Sequence, residues 1–421
     1  MSTMHRAASA AFVGAALAVS SVQLAAPAGA ASLPNVGVQS YAYGSYAVVG
    51  SVVKSGPVAY AGIGCTTSFG RTVKGTAAAV NAARLGTVGA TTTVASSSIE
   101  NGLKVARTSA STGAVNLLGG LVRSNAVTSA STAVVNGAGT FTGGNRSELA
   151  GLVVAGRAQS ATPAPNTALS LRGSDGAAYA TVYLNRQTKT WVGSEWRVQT
   201  IALQVVVSGK NPLDLPIGSN VLVGVSSSSL TKPVVGLVAG RGYATSATAA
   251  DGRVLSSPTA LAQPFCGGSS SSATVASATV PGVVTTGTTT TTANATATAS
   301  SRTVRVVDRI SGPSVLAGLL GATTIVADTS ATQSSPGGTV ALVDRSSFVG
   351  LGIKGLPAIN ASVPANTVVT VPGLGKVTLH KVTRTAKSIE VVMVEVVTDR
   401  VLGSLPTGSV VRIGYSYSAV V

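Results

Sequence analysis

Four short phrases occur twice in this sequence, in the same order and each pair roughly 200 residues apart, so the chain is expected to build one architecture two times. Leu117-Leu118-Gly119-Gly120-Leu121 returns as Leu316-Ala317-Gly318-Leu319-Leu320, and Pro165-Asn166-Thr167 as Ala365-Asn366-Thr367. Val182-Tyr183-Leu184-Asn185 matches Val377-Thr378-Leu379-His380, and Leu215-Pro216-Ile217-Gly218-Ser219 matches Leu405-Pro406-Thr407-Gly408-Ser409. One match of this length is weak, but four in a fixed order delimit two units, 31–232 and 240–421, joined through 231–242.

The patterning indicates what is duplicated. No sustained 3.6-residue apolar stripe ends in a helix cap. Runs rich in Val, Thr and Ile recur instead at 179–185, 198–207, 368–371, 376–382 and 389–397, punctuated by Gly, Pro, Asn and Ser. Ile201, Leu203, Val205 and Val207 put one apolar face on the second of these, with Ala202 and Gln204 on the other. The run 285–292 has the composition of a mucin-like linker. It aligns, however, with Thr91-Thr92-Thr93-Val94 around Gly89 and Gly287, and β-branched Thr suits a strand. The expected fold is all-β: two tandem, homologous, sandwich-like repeats after a signal peptide.

Residues 1–30 carry that signal. His5 and Arg6 precede an apolar run over 7–19, and Ala28-Gly29-Ala30 supplies the small residues of a cleavage site, placed after Ala30. The run is well short of the roughly 20 residues that cross a bilayer. Later apolar stretches are strand-length, so no transmembrane helix is expected in the mature chain. The expected location is secreted, with association to the cell envelope open.

The repeat wording resembles the choice-of-anchor P family of secreted actinobacterial surface proteins. One carrier runs from Lys104-Val105-Ala106-Arg107-Thr108 through Val115-Asn116-Leu117-Leu118-Gly119-Gly120-Leu121-Val122 to Ala126-Val127-Thr128-Ser129-Ala130. The other runs from Pro364-Ala365-Asn366-Thr367 through Gly373-Leu374-Gly375-Lys376-Val377-Thr378-Leu379-His380. The resemblance implies an exported, envelope-associated protein with no assigned activity. Family members take various C-terminal anchors, whereas 415–421 shows no sorting tail, so a covalent wall link is not among the expectations.

Reactive groups are scarce. Two His and two Cys exclude a multi-ligand zinc site, an iron–sulfur or haem-attachment chain and a disulfide-dense scaffold. No catalytic, cofactor-binding or metal residue is singled out, and no cofactor is expected. Cys65 and Cys266 lie at equivalent points of the two units, and export favours their pairing, with two buried free thiols as the alternative. His380 is the one histidine after Ala30 and stands where the first unit has Asn185, which favours a shared structural role over acid–base work. Among carboxylates, Glu195, Glu390, Glu395 and Asp399 form the densest group, in or beside strands.

Several motif matches fail on context. Leu405-Pro406-Thr407-Gly408 lacks the spacer of a sorting signal, and its twin at Leu215 sits mid-chain, so both read as turns before strands. Gly350-Leu351-Gly352-Ile353-Lys354-Gly355 fits the dinucleotide fingerprint, yet Leu356-Pro357 cannot open the helix that chemistry needs. Ser51-Val52-Val53-Lys54 matches a serine–x–x–lysine pattern without its partner motifs. The sequons at Asn145, Asn294 and Asn360 are expected by chance in a chain this rich in Ser and Thr.

Lys+Arg exceed Asp+Glu by 29 to 12, and removal of Arg6 with the signal would reduce +17 to +16. The excess is spread, densest at Arg302, Arg305 and Arg309 and at Lys376, Lys381, Arg384 and Lys387. No stretch interleaves basic residues with stacking aromatics, so nucleic acid is not an expected partner. A diffuse positive field outside the cell would attract anionic envelope polymers or lipid head groups. The expected function is a non-catalytic cell-envelope protein with a structural or weak polyanion-binding role. The alternatives are a hydrolase of an envelope glycan or ester working through His380 or a carboxylate pair, and a self-assembling surface protein or adhesin. The oligomeric state is left open.

Overall fold

The computed structural model describes residues 33–421 apart from 50–51, 82–84, 234–235, 251–253, 257, 281–282, 316–317, 355–362 and 403–404. The expected signal and its expected cleavage point at Ala30, and residues Ser51, Leu316, Ala317, Gly355 and Asn360 of the motifs above, fall outside the described residues. The described residues are all-β, arranged in six antiparallel sheets, with a short 3-10 turn at Leu118–Gly120 and no α-helix among them.

The patterning explains this. Strands such as Ala126–Asn136 alternate buried and half-buried residues along their whole length, and small Ala, Ser and Thr side chains let neighbouring sheets approach closely. The 285–292 run forms strand as expected: Val284–Thr286 and Thr289–Ala297, the latter burying Thr289 and Thr291. In Glu195–Val207 the expected one-sided burial gives way to burial on both faces, because Ala202 and Gln204 are also covered.

Three sheets come from residues 38–231. The longest is ordered Thr167–Arg172, Ala178–Val192, Glu195–Val207, Asn220–Thr231, Val38–Val49, Val52–Ser55, with Ala61–Thr66 also on Val38–Val49. A five-stranded sheet built around Leu103–Thr112 and Ala126–Asn136 packs against it, and a sheet of short strands closes one end. Residues 238–420 form three more. Their longest is ordered Thr367–Val371, Gly375–Arg384, Ser388–Thr398, Val410–Val420, Val238–Thr248, Val254–Ser256, which is the order of the first set.

The agreement reaches single turns. In Pro216-Ile217-Gly218-Ser219 and Pro406-Thr407-Gly408-Ser409 the Ser N–H donates to the Pro carbonyl, at 3.1 and 3.2 Å. The Gly φ values are 87° and 78°, which a side chain would strain. Each turn leads into a strand, as expected. Ser32–Val421 form one compact unit, with separate apolar cores inside the two sheet sets and a small cluster of Leu237, Ala239 and Ala419 around the two cysteines.

Candidate functional site

The cysteines form a disulfide. Cys65 is the penultimate residue of Ala61–Thr66 in the first set, Cys266 precedes Ser270–Val275 in the second, and their Cα atoms stand 5.2 Å apart. Polar bonds cross beside it. Gln39 Nε2 donates to the Pro264 carbonyl at 3.0 Å, and the Tyr60 hydroxyl to Gln263 Oε1 at 3.3 Å. Glu195 is completely buried here, its Oε1 accepting from the Cys266 N–H at 2.6 Å and its Oε2 from Ser229 Oγ at 3.0 Å. Burial holds this carboxyl above the usual range, against the opposing pull of the Cys266 N–H, Arg197 and Ser229. Glu195 thus stands apart from Glu390, Glu395 and Asp399, with which the sequence groups it.

Next to the disulfide the two sheet sets leave a cleft. Its larger hollow, about 530 Å³, falls in the usual range for ligand sites. A smaller one of about 270 Å³ adjoins it, both being lined by Gln39, Tyr60 and Gln263. Tyr41 and Tyr43 project from one face of Val38–Val49; Gly44 and Ser45 are both buried, and this flips the alternation so that Tyr46 joins them. Gly44 is required for its own reason, since a Cβ there would strike the Thr91 side chain.

The rings of Tyr43, Tyr41 and Tyr60 run in series, with centroids 6.2 and 6.4 Å apart and planes within 13° of parallel. Two arginines flank the row across the junction. Arg197 lies over Phe265, with Cζ 4.0 Å from the ring centre, and Arg241 over Tyr60 at 5.0 Å. The Nε of each is buried and makes no hydrogen bond. Burial first, then neighbouring phenols, push Tyr43 well up, and burial raises Tyr60 against the pull of Arg241. Both phenols are therefore neutral near pH 7. The opposite wall carries hydroxyls from Ser269 to Ser272 and Thr274.

Seven of the nine tyrosines line these hollows or stack beside them: Tyr41, Tyr43, Tyr46 and Tyr60 from one side, Tyr243, Tyr415 and Tyr417 from the other. Sequence reading missed this. The Tyr41-Ala42-Tyr43 and Tyr415-Ser416-Tyr417 spacings, which put two rings on one strand face, are the signal that could have found it.

His380 and Asn185 occupy the same place in their sheets. Both are left-handed, at φ 48° and 51°, and both carbonyls accept from an Asn N–H, of Asn366 and Asn166 respectively. Asn185 Nδ2 donates to Pro163 O at 2.8 Å; His380 Nδ1 donates to Val363 O at 3.0 Å. His380 Nε2 lies 2.9 Å from Asp344 Oδ2. A carbonyl and a carboxylate both accept, so the ring fills both bonds only as the cation. Asp344 accordingly raises the imidazole, with burial opposing and Val363 adding to the rise. Burial pushes Asp344 up, and the bonds from His380 and Ser346 outweigh it.

An imidazolium held at both nitrogens has no lone pair with which to take a proton from serine. His380→Asn is expected to cost only about 1 kcal/mol, and His380→Ala about 2–3 kcal/mol, in denaturant unfolding at pH 6. The histidine's contribution is complete below its ordinary 6.5 and falls away as pH rises through the raised folded value. Equal losses for Asn and Ala would refute the shared role.

Other expected features are placed as follows. Glu395 bridges Lys381 Nζ at 2.7 Å and Arg412 Nε at 2.9 Å. Burial raises its carboxyl, and the two cations outweigh that and hold it low. Glu390 accepts from the Tyr415 hydroxyl at 2.9 Å, and Asp399 pairs with Arg400. Gly352–Ile353 is a strand paired with Leu320–Gly321, not a nucleotide-binding turn. Asn145 is turned inward, its Nδ2 on the Gln199 carbonyl at 2.7 Å, and Asn294 is exposed. Among the described residues there is no cluster of three or more His, Cys, Asp or Glu suited to a metal, and no helix long and apolar enough to cross a membrane. No protein-family model and no curated protein matches the chain.

Proposed function

We propose that the protein is an exported, non-catalytic constituent of the cell envelope that binds anionic envelope polymers or lipid head groups through its positive charge, as its likeness to the choice-of-anchor P family would suggest. The supporting observation is how the few carboxylates are used. Among the described residues, seven carboxylates lie against a cation of the same chain: Glu100, Glu148, Glu195, Asp328, Asp344, Glu395 and Asp399. Basic side chains outnumber the carboxylates, and many of those described reach solvent, whereas Lys104 and Arg302 are buried. Strand alternation sorts the basic groups accordingly. Arg302 turns inward to Gln333, Arg305 outward to Asp328, while Arg309, Lys376 and Lys387 are exposed. The disulfide between Cys65 and Cys266 is compatible with an oxidising location.

Binding of this kind depends on salt. The purified chain is expected to be retained on a matrix bearing a polyuronate or polyphosphodiester at about 0.05 M salt and released by about 0.5 M. Vesicles of anionic lipid separate head groups from polymers as the source of charge. Failure of both to retain the chain at low salt would remove the electrostatic reading.

A further inference from the structure

We infer that the tyrosine-lined cleft is a binding site for an acidic polysaccharide chain, whose sugar rings lie on Tyr41, Tyr43 and Tyr60 and whose acid groups meet Arg197 and Arg241. The inference deepens the electrostatic reading by giving the anion a carbohydrate frame and a place. A pyranose ring offers a face of C–H bonds and a rim of hydroxyls. The first packs on the electron-rich face of an aromatic ring, and the second needs donors and acceptors around it. The cleft supplies both: three near-parallel rings 6.2 and 6.4 Å apart, and around them the amides of Gln39 and Gln263 with the hydroxyls of Ser269 to Ser272.

The arginines decide in favour of an acidic chain. Arg197 lines the larger hollow and Arg241 the smaller, so each part of the cleft carries one guanidinium cation. Acid groups along the chain would lie against these two cations, of which Arg197 also stands 3.9 Å from the buried Glu195. A proline-rich peptide, the other ligand that suits a row of tyrosines, brings carbonyl acceptors but no anion for these cations. The site is also held firm. The disulfide and the bonds of Gln39 to Pro264 and Tyr60 to Gln263 fix the two walls to each other, so little ordering is left for binding to supply.

Calorimetric titration of the full oxidised chain tests this, with a uronic-acid hexamer, its neutral hexose counterpart, polyglutamate and a proline-rich decapeptide as probes. The uronate hexamer is expected to saturate at one per chain and to bind measurably at both about 0.15 and 0.5 M salt, because stacking is not screened. Tyr41→Ala and Tyr60→Ala should each weaken it at least about tenfold, and Tyr41→Phe should retain most of the affinity. Low-salt retention by polyglutamate should be the same in all three variants. Unchanged uronate binding in both alanine variants, at wild-type thermal stability, overturns the cleft and leaves the electrostatic reading standing. Uronate binding without any retention by polyglutamate does the reverse. Equal affinity for the neutral hexamer, or preference for the decapeptide, overturns the acidic-glycan assignment.

Discussion

Reduction of the Cys65–Cys266 disulfide is expected to lower the stability of the chain by up to about 5 kcal/mol. The bond closes a loop of 201 residues, and the restriction a crosslink places on the unfolded chain grows with the logarithm of that length. A loss of this size is comparable to the whole stability of many small domains. The contacts beside the bond survive reduction. Leu237, Ala239 and Ala419 still cover both sulfurs, and Glu195 still accepts from the Cys266 N–H. The reduced chain is therefore expected to remain folded and to unfold at a lower denaturant concentration. Guanidinium titrations with and without reductant measure the difference. The reduced wild type is the cleaner comparison, because a double serine variant would add the cost of burying two hydroxyls. A shift below about 1 kcal/mol would mean that the unfolded chain already keeps the two halves together.

The elements readable in the sequence are those fixed by neighbours along the chain. Alternation and turn residues set the strands, and the Pro-x-Gly-Ser pair formed the same turn twice because Gly alone meets its left-handed position without strain. The Asn185 and His380 correspondence was readable for the same reason: each is placed by its own left-handed backbone and a nearby carbonyl. The cleft was not. Tyr41, Tyr43 and Tyr60 meet Gln263, Phe265 and Ser269 only after two distant stretches dock, and no period or spacing encodes that meeting. Glu195 shows the same limit. It shares strand context with Glu390 and Glu395, and only docking places it against Cys266. Asp308 lies between these cases. Arg302, Val304, Val306, Asp308 and Ile310 share one face of Arg302–Ser311, so its burial follows from alternation, but the missing partner of its Oδ2 does not.

Asp308→Asn is expected to stabilise the protein by about 2–4 kcal/mol at pH 8 and to have almost no effect at pH 4. The side chain is completely buried beside Val304, Val306 and Ile310. Its Oδ1 accepts from Thr291 Oγ1 at 2.6 Å, and its Oδ2 has no hydrogen-bond partner. Burial raises the carboxyl from 3.8 to about 7, and the Thr291 hydroxyl opposes that only in part. The sign follows from which state holds the proton. Between the ordinary 3.8 and about 7 the folded chain keeps it and the unfolded chain has released it, so folding weakens steadily as pH rises through that window. Above it the buried carboxylate costs the full difference. Asparagine has the shape of the protonated acid, keeps an oxygen for Thr291 and never ionises. Its cost is therefore nearly that of the neutral acid at every pH. Other groups that titrate in the same interval, His380 among them, lie in wild type and variant alike and cancel in the difference. Urea unfolding of both proteins at pH 4, 6 and 8 gives three differences, which should grow from near zero to the full value. A difference independent of pH, or a destabilised variant at pH 8, would show that Asp308 is ionised at no such cost.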